Sequence, residues 1–151
     1  MPHNIGFCEG ENKVEAAEIM IVDDFEEWRL RLRQYLESIP GFRVIAEAAD
    51  GAEAVEKAAQ LHPDIVLLDI GMPHLNGIEA AKKIRQACPN SKIIFLTQEN
   101  DSDVRTAALA TGAIAYVLKS KASHELRTTV EMATYTALQT ASAHNWPLNC
   151  C

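Results

Sequence analysis

Four short apolar runs, each followed directly by an acidic, hydroxyl or basic residue, constrain this chain more than any other feature. The runs lie at residues 18–22, 64–68, 92–96 and 115–118. They are rich in Ile, Val and Leu and are separated by helical patterns, as are buried parallel strands in βα repeats. The residues that follow them are Asp23, Asp24, Asp69, Thr97 and Lys119. Because ligands bind beyond the carboxyl ends of strands in an open parallel sheet, these side chains are predicted to meet in one crevice that suits a metal and a phosphoryl group.

Hydrophobic periodicity predicts five strands and five helices in strict alternation. The remaining strand, second in the chain, is predicted at residues 43–47. Helices are predicted at 25–39, from the Asp50-Gly51 turn to Leu61, and at 76–88, 101–110 and 123–141. Leu61 is placed on the buried face of its helix, and Asn76 is predicted to cap the third helix. Since βα crossovers are right-handed, helices are expected on both faces of the sheet.

Composition argues against several classes of function. The 151 residues, 48% of them hydrophobic, suffice for one globular domain. That domain is placed at 17–141, between a flexible N-terminal extension at 1–16 and a C-terminal tail at 142–151. The net charge of −7 disfavours direct nucleic-acid binding by this domain, and no apolar run approaches the roughly 20 residues that span a bilayer. No secretory signal is evident, and four cysteines without metal-ligand spacing indicate free thiols in the cytoplasm.

These residues, taken together, resemble the receiver domain of two-component response regulators. The marks of the resemblance are Asp23-Asp24, Asp69 within Leu-Leu-Asp-Ile-Gly-Met-Pro, Asn76-Gly77, Leu96-Thr97 and Tyr116-Val117-Leu118-Lys119. Each motif is weak alone, whereas their order on consecutive strands is specific. The resemblance covers residues 19–141 and implies a flavodoxin-like α/β fold. It implies a doubly wound, five-stranded parallel sheet in the order 2-1-3-4-5, with strands one and three adjacent where the order reverses.

The resemblance also implies a metal-assisted phosphoacceptor site. Asp69 would take a phosphoryl group from a histidine kinase or a phosphotransfer protein, since a carboxylate can form an acyl phosphate when the leaving group is good. Mg²⁺, or Mn²⁺ in its place, would be bound directly by Asp24 and Asp69, through water by Asp23, and by the Gly71 carbonyl. Lys119 would pair with the phosphoryl oxygens as a point charge. Asp24 has a second interpretation, as the N-cap of the first helix.

Several further positions carry expectations about switching and access. The Thr97 hydroxyl would bind a phosphoryl oxygen, and Tyr116 would be the switch aromatic, with a half-buried strand tyrosine as the alternative. Gln98 is predicted to narrow access to Asp69, and Glu99 to border the line of attack by water. Ser120 stands where many receivers have a proline after a cis bond. Without proline a cis bond costs about 2.5–4 kcal/mol, so the isomer of this bond stays open.

Three functions compete at this point. The first is a stand-alone receiver that signals by protein contact, with a homodimer among its states and no enzymatic activity beyond its own phosphorylation and dephosphorylation. The second is the receiver of a longer DNA-binding regulator, because Gln98 and the segment from Tyr116 to Ser120 look like receivers that precede helix-turn-helix output domains. The third, a metal-dependent phosphatase, needs an acid two residues after Asp69, where Gly71 stands. Trp28 is interpreted as a packing residue. Arg29, Arg31 and Arg33 are interpreted as solvated on the outer part of the first helix, with contact to an acidic face of a partner as the alternative.

Overall fold

A computed structural model describes the backbone of residues 16–145 and the side chains of residues 16–134. The predicted extension, except residue 16, and positions 146–151 of the predicted tail lie outside the described residues. The strands are β1 (Ala17–Val22), β2 (Phe42–Ala48), β3 (Ile65–Leu68), β4 (Lys92–Thr97) and β5 (Ala115–Leu118). The α-helices are α1 (Glu26–Glu37), α2 (Gly51–Leu61), α3 (Gly77–Ala87), α4 (Ser102–Leu109) and α5 (Ala122–Asn145). A 3₁₀ turn, Lys119–Lys121, joins β5 to α5.

The strands form one parallel sheet in the order β2-β1-β3-β4-β5. This confirms the predicted doubly wound α/β fold and its strand order. β1 and β3 are neighbours, with Val22 opposite Leu68 in register. The residues that follow these two strands therefore lie side by side where the strand order reverses.

Helices cover both faces of the sheet, which explains why its central strands are apolar throughout. One face packs alternate residues such as Met20 and Val66 against α2, α3 and α4. The other packs residues such as Ile19 and Leu67 against α1 and α5. The carboxyl ends of the strands are thus held on a rigid core with a buried cluster on each side.

Asparagine and aspartate side chains set the starts of three helices. Asn76 accepts hydrogen bonds from the backbone N–H groups of Ile78 and Glu79, which confirms the predicted cap of α3. Asp50 caps α2 and Asp101 caps α4 in the same way. These caps fix where each loop above the sheet ends.

Two features of the helices differ from the sequence prediction. Leu61, expected to face inward, is 45% exposed because it is the last residue of α2, just before His62 turns into the left-handed region at φ 49°. Helix α5 runs on to Asn145, past the predicted end at 141.

Within the described residues no helix is both long and apolar enough to cross a bilayer.

Candidate metal centre

The ends of β1 and β3 are fixed by backbone hydrogen bonds to their neighbouring strands. The N–H of Asp23 donates to the carbonyl of Ala48 at 3.0 Å, and the N–H of Asp69 donates to that of Val22 at 3.0 Å. Asp23 and Asp69 are buried, whereas Asp24 is exposed. The parallel ladder therefore continues just far enough to bring acidic residues from two loops together.

Asp23, Asp24 and Asp69 form one carboxylate cluster. An oxygen atom from each lies within 4.8 Å of the oxygens of the other two. Three carboxylates so close repel one another unless a cation or protons neutralise them. Oxygen ligands of this kind suit Mg²⁺, which binds through a few carboxylates and keeps several waters, so the donor set fits the predicted metal.

Lys119 brings a positive charge to this cluster from the end of β5. Its Nζ atom lies 2.6 Å from Asp23 Oδ2 and 3.6 Å from Asp69 Oδ2. It also lies 5.1 Å from the centre of the Trp28 ring, a cation–π contact. Trp28 was expected only to pack in the core, and no local sequence signal links it to a lysine on another element.

The carboxyl of Asp69 has a raised pKa. Burial is the main cause, and the neighbouring Asp23 carboxylate adds to it. Lys119, a hydrogen bond with Thr97 and the backbone N–H of Ile70 act in the opposite direction. The Ile70 N–H donates to Asp69 Oδ1 at 2.8 Å.

Thr97 and Tyr116 are connected through Glu99. The Glu99 N–H donates to Thr97 Oγ1 at 3.2 Å, and the Tyr116 hydroxyl donates to the Glu99 carbonyl at 2.7 Å. Tyr116 is buried, its ring lies 6.2 Å from that of Phe95, and the Arg105 guanidinium stands 5.2 Å from its centre. Burial and Glu99 raise the pKa of the Tyr116 phenol. The structure thus places the predicted switch pair in contact with one loop, and the switch role stays a prediction.

A pocket of about 320 Å³ contains the cluster. It is lined by Asp23, Asp24, Phe25, Asp69, Gly71, Thr97, Gln98, Glu99 and Lys119. All the predicted site residues except Tyr116 line it, and the exposed Phe25 side chain was missed because exposed aromatics leave no periodic signal.

No peptide bond in residues 16–145 is cis, so the Lys119–Ser120 bond is trans.

The first helix differs from expectation at its N-terminus. Its N-cap is Phe25, and no side chain caps it. The Phe25 N–H donates to the Asp23 carboxylate at 2.9 Å. Asp24 is therefore not the cap, and its carboxylate is left for the cluster.

The interpretation of the helix-α1 arginines as solvated is wrong for Arg29. The Arg29 side chain is only 15% exposed, with its Nε atom 2.9 Å from Glu47 Oε1. Arg33 also pairs with Glu47, with its Nη1 atom 2.5 Å from Glu47 Oε2, but its side chain is 40% exposed. Arg31 is exposed as expected. The pairing depends on β2 lying beside α1, which periodicity within α1 cannot reveal.

Known proteins resemble this chain along most of its length. The family model for the response regulator receiver domain matches residues 19–131. The transcriptional regulatory protein LiaR of Bacillus subtilis is 37% identical over 115 residues, which is 76% of this chain and 54% of LiaR. The chain thus spans about half the length of the curated relatives it matches.

Solved structures agree with that match. A LuxR-family two-component response regulator from Aurantimonas sp. SI85-9A1 has a TM-score of 0.74 and 38% identity, covering 78% of this chain and 84% of its own. The CheX–CheY–BeF₃–Mg²⁺ complex from Borrelia burgdorferi has a TM-score of 0.71 and 28% identity. The match covers 87% of this chain and 97% of the matched chain. The likeness to LuxR-type regulators confirms the resemblance to receivers that precede helix-turn-helix output domains. The sequence match and the shared sheet order lead to one conclusion: the chain belongs to the response regulator receiver domain family.

Proposed function

We propose that this receiver accepts a phosphoryl group on Asp69 from a phosphohistidine of a histidine kinase or phosphotransfer protein. An oxygen of the Asp69 carboxylate forms a bond to phosphorus as the bond from phosphorus to the imidazole nitrogen breaks, and the bonding pair leaves with the nitrogen. The protein is a signalling phosphoacceptor that catalyses only its own phosphorylation and dephosphorylation. A cytoplasmic location remains a prediction from the sequence.

The observation that carries this proposal is the meeting of three carboxylates with one ammonium in one open pocket. Asp24 and Asp69 would hold Mg²⁺ directly, with Asp23 acting through water and Gly71 through its carbonyl. When bound, the metal supplies positive charge that offsets the phosphoryl oxygens. The solved structure of the CheX–CheY–BeF₃–Mg²⁺ complex, to which this chain is similar, contains Mg²⁺ and BeF₃, which supports metal binding by this receiver.

Lys119 and Thr97 would stabilise the acyl phosphate. Lys119 Nζ already lies within 4 Å of both buried carboxylates, so it can turn from Asp23 towards a new anion on Asp69. The Thr97 hydroxyl is buried beside Asp69 and would donate to a phosphoryl oxygen. Movement of Thr97 would reach Tyr116 through Glu99 and alter the surface formed by α4, β5 and α5.

A second function is supported by the matched relatives. LiaR is a transcriptional regulator and this chain spans about half of it, so we propose as an alternative that the domain controls a DNA-binding output domain in a longer protein. The reading frame of the gene beyond residue 151 distinguishes this arrangement from a stand-alone receiver. Both arrangements use the same site.

The test is metal-dependent phosphorylation by a small donor. Acetyl phosphate is added to the protein with Mg²⁺ or with EDTA, and intact mass spectrometry follows the gain of one phosphoryl group. We expect labelling only with Mg²⁺, and none in Asp24→Ala, whose metal binding is followed by Trp28 fluorescence or calorimetry. Equal labelling in EDTA, or unchanged Mg²⁺ affinity in Asp24→Ala, contradicts the proposed site.

A further inference from the structure

Arg29 connects three elements beside the carboxylate cluster. From helix α1 its Nε atom contacts Glu47 on β2, and its Nη1 atom donates to the backbone carbonyl of Asp23 at 2.7 Å. The side chain is 15% exposed, so these hydrogen bonds are largely shielded from water. The guanidinium fork suits this double contact because its donors are rigidly spaced.

Glu47 holds the guanidinium in place. It also accepts from Arg33, and these two hydrogen bonds keep the pKa of Glu47 below its usual value although burial alone would raise it. The next residue on β2 is Ala48, whose carbonyl accepts from the Asp23 N–H. Both peptide groups of Asp23 are therefore anchored to the β2 end, one directly and one through Arg29.

The bond that Arg29 holds is the peptide joining the two acidic residues. Rotation of that peptide would turn the Asp24 side chain, which is exposed. The Asp23 carboxylate has its own contacts, to Lys119 and the Phe25 N–H. Arg29 is thus in a position to set the direction of Asp24 relative to the rest of the cluster.

We propose that Arg29 is a positioning residue that orients the Asp23-Asp24 peptide so that the carboxylates are arranged for a divalent cation. The inference deepens, and rests on, the proposed function. Groups that orient metal ligands from outside the coordination shell commonly change metal affinity by about 10–100-fold when they are removed. Glu47 has the supporting task of holding Arg29 and of balancing its charge.

The charge of Arg29 and its positioning role predict opposite changes in Mg²⁺ affinity when Arg29 is removed, so the direction of the change tests the proposal. Arg29 is a cation close to a cation site, so its removal should tighten Mg²⁺ binding if only electrostatics matter. If Arg29 orients a ligand, its removal weakens binding. Arg33 provides a matched control, since it pairs with the same Glu47, while its other ion pair is with Glu37 and not with Asp23.

The experiment compares wild type, Arg29→Met, Arg29→Lys, Arg33→Met and Asp24→Ala by calorimetric titration with Mg²⁺. Thermal unfolding in EDTA reports the metal-free stability of each. We expect about tenfold weaker binding in Arg29→Met, weakened binding in Arg29→Lys, which keeps the charge and loses the fork, and wild-type binding in Arg33→Met. If Arg29→Met does not fold, Arg29→Lys decides.

The outcomes separate the two proposals. Unchanged or tighter Mg²⁺ binding in the Arg29 variants overturns the positioning role, as does an equal loss in Arg33→Met. A wild type that does not bind Mg²⁺, or an Asp24→Ala variant that binds as well as wild type, overturns the proposed metal site instead.

Discussion

The ammonium of Lys119 lies 1.0 Å closer to the nearest oxygen of Asp23 than to that of Asp69, at 2.6 Å against 3.6 Å. Lys119 is therefore paired more closely with a member of the acidic pair than with the proposed phosphoryl acceptor. A divalent cation and this ammonium would compete for the same negative charge. Binding of the metal would then free Lys119 to turn towards Asp69.

Lys119→Met should therefore tighten Mg²⁺ binding while slowing phosphorylation. The gain is expected to be about fivefold, equivalent to about 1 kcal/mol between screened unit charges a few ångströms apart. Phosphorylation slows because no ammonium is left to pair with the phosphoryl oxygens. Calorimetry gives the first quantity and the rate of labelling by acetyl phosphate the second; weaker Mg²⁺ binding in this variant would show that Lys119 does not compete with the metal.

Asp69→Asn should stabilise the metal-free protein at neutral pH. Burial and Asp23 raise the folded-state pKa of Asp69, so the native protein holds this proton more tightly than the unfolded chain does. Stability is then lost as pH rises from the unfolded value of about 3.9 through the higher folded value, and the loss is complete above it. The amide cannot ionise and avoids this loss.

The expected gain in unfolding free energy is about 1 kcal/mol at pH 7, which is the scale of the unfavourable burial of a polar group. This gain should vanish below about pH 3.9, where the wild-type carboxyl is protonated in both states. Urea unfolding in EDTA across this range measures it. Asp24→Asn is the control, because Asp24 is exposed and should change stability less. A destabilised Asp69→Asn at pH 7 would contradict the stated cause of the raised pKa.

Gly77→Ala should disrupt the loop that carries Asp69. A Cβ atom at Gly77 would lie 2.0 Å from the Asp69 carbonyl oxygen and 2.7 Å from Ile70 Cα, both backbone atoms that cannot move alone. We expect a loss of about 2–3 kcal/mol of unfolding free energy, together with weaker Mg²⁺ binding.

Gly71→Ala is the matched control for that substitution. A Cβ at Gly71 meets no atom within 4 Å, so stability should stay within about 0.5 kcal/mol of wild type. Urea unfolding compares the two variants. Equal stabilities for both would mean that the close approach of α3 to Asp69 is not needed for the fold.

Gln98→Ala should speed phosphorylation by small donors more than it changes stability. Gln98 is exposed and lines the pocket beside Asp69, and we expect its long side chain to obstruct both donor and water there. The initial rate is measured against acetyl phosphate concentration, with thermal unfolding as the control. A rate equal to or below that of wild type, with the fold intact, would show that Gln98 does not restrict access.

The ends of the strands could be predicted from the sequence because they depend on local patterns. Apolar runs ending in Asp23, Asp69 and Lys119 indicate both the sheet and the crevice, since parallel strands bring their carboxyl ends to one edge. Asn76 was predictable as a cap for the same reason: its partners lie two and three residues away.

Contacts between elements could not be predicted in this way. Arg29 was expected to be solvated because its partners, Glu47 and the Asp23 carbonyl, become neighbours only when β2 packs beside β1 and α1. The contact of Trp28 with Lys119 likewise joins α1 to the end of β5. Leu61 matched the helical period, but the helix ends there and leaves the side chain exposed.

Locating the phosphoryl group within the chain tests the central claim most directly. After reaction with acetyl phosphate and Mg²⁺, borohydride reduction converts an acyl phosphate on aspartate to homoserine, which peptide mass spectrometry can place. The account predicts homoserine at position 69 in the wild type and no labelling of Asp69→Asn. Homoserine at position 23 or 24 of the wild type, or full labelling of a folded Asp69→Asn variant, would contradict it.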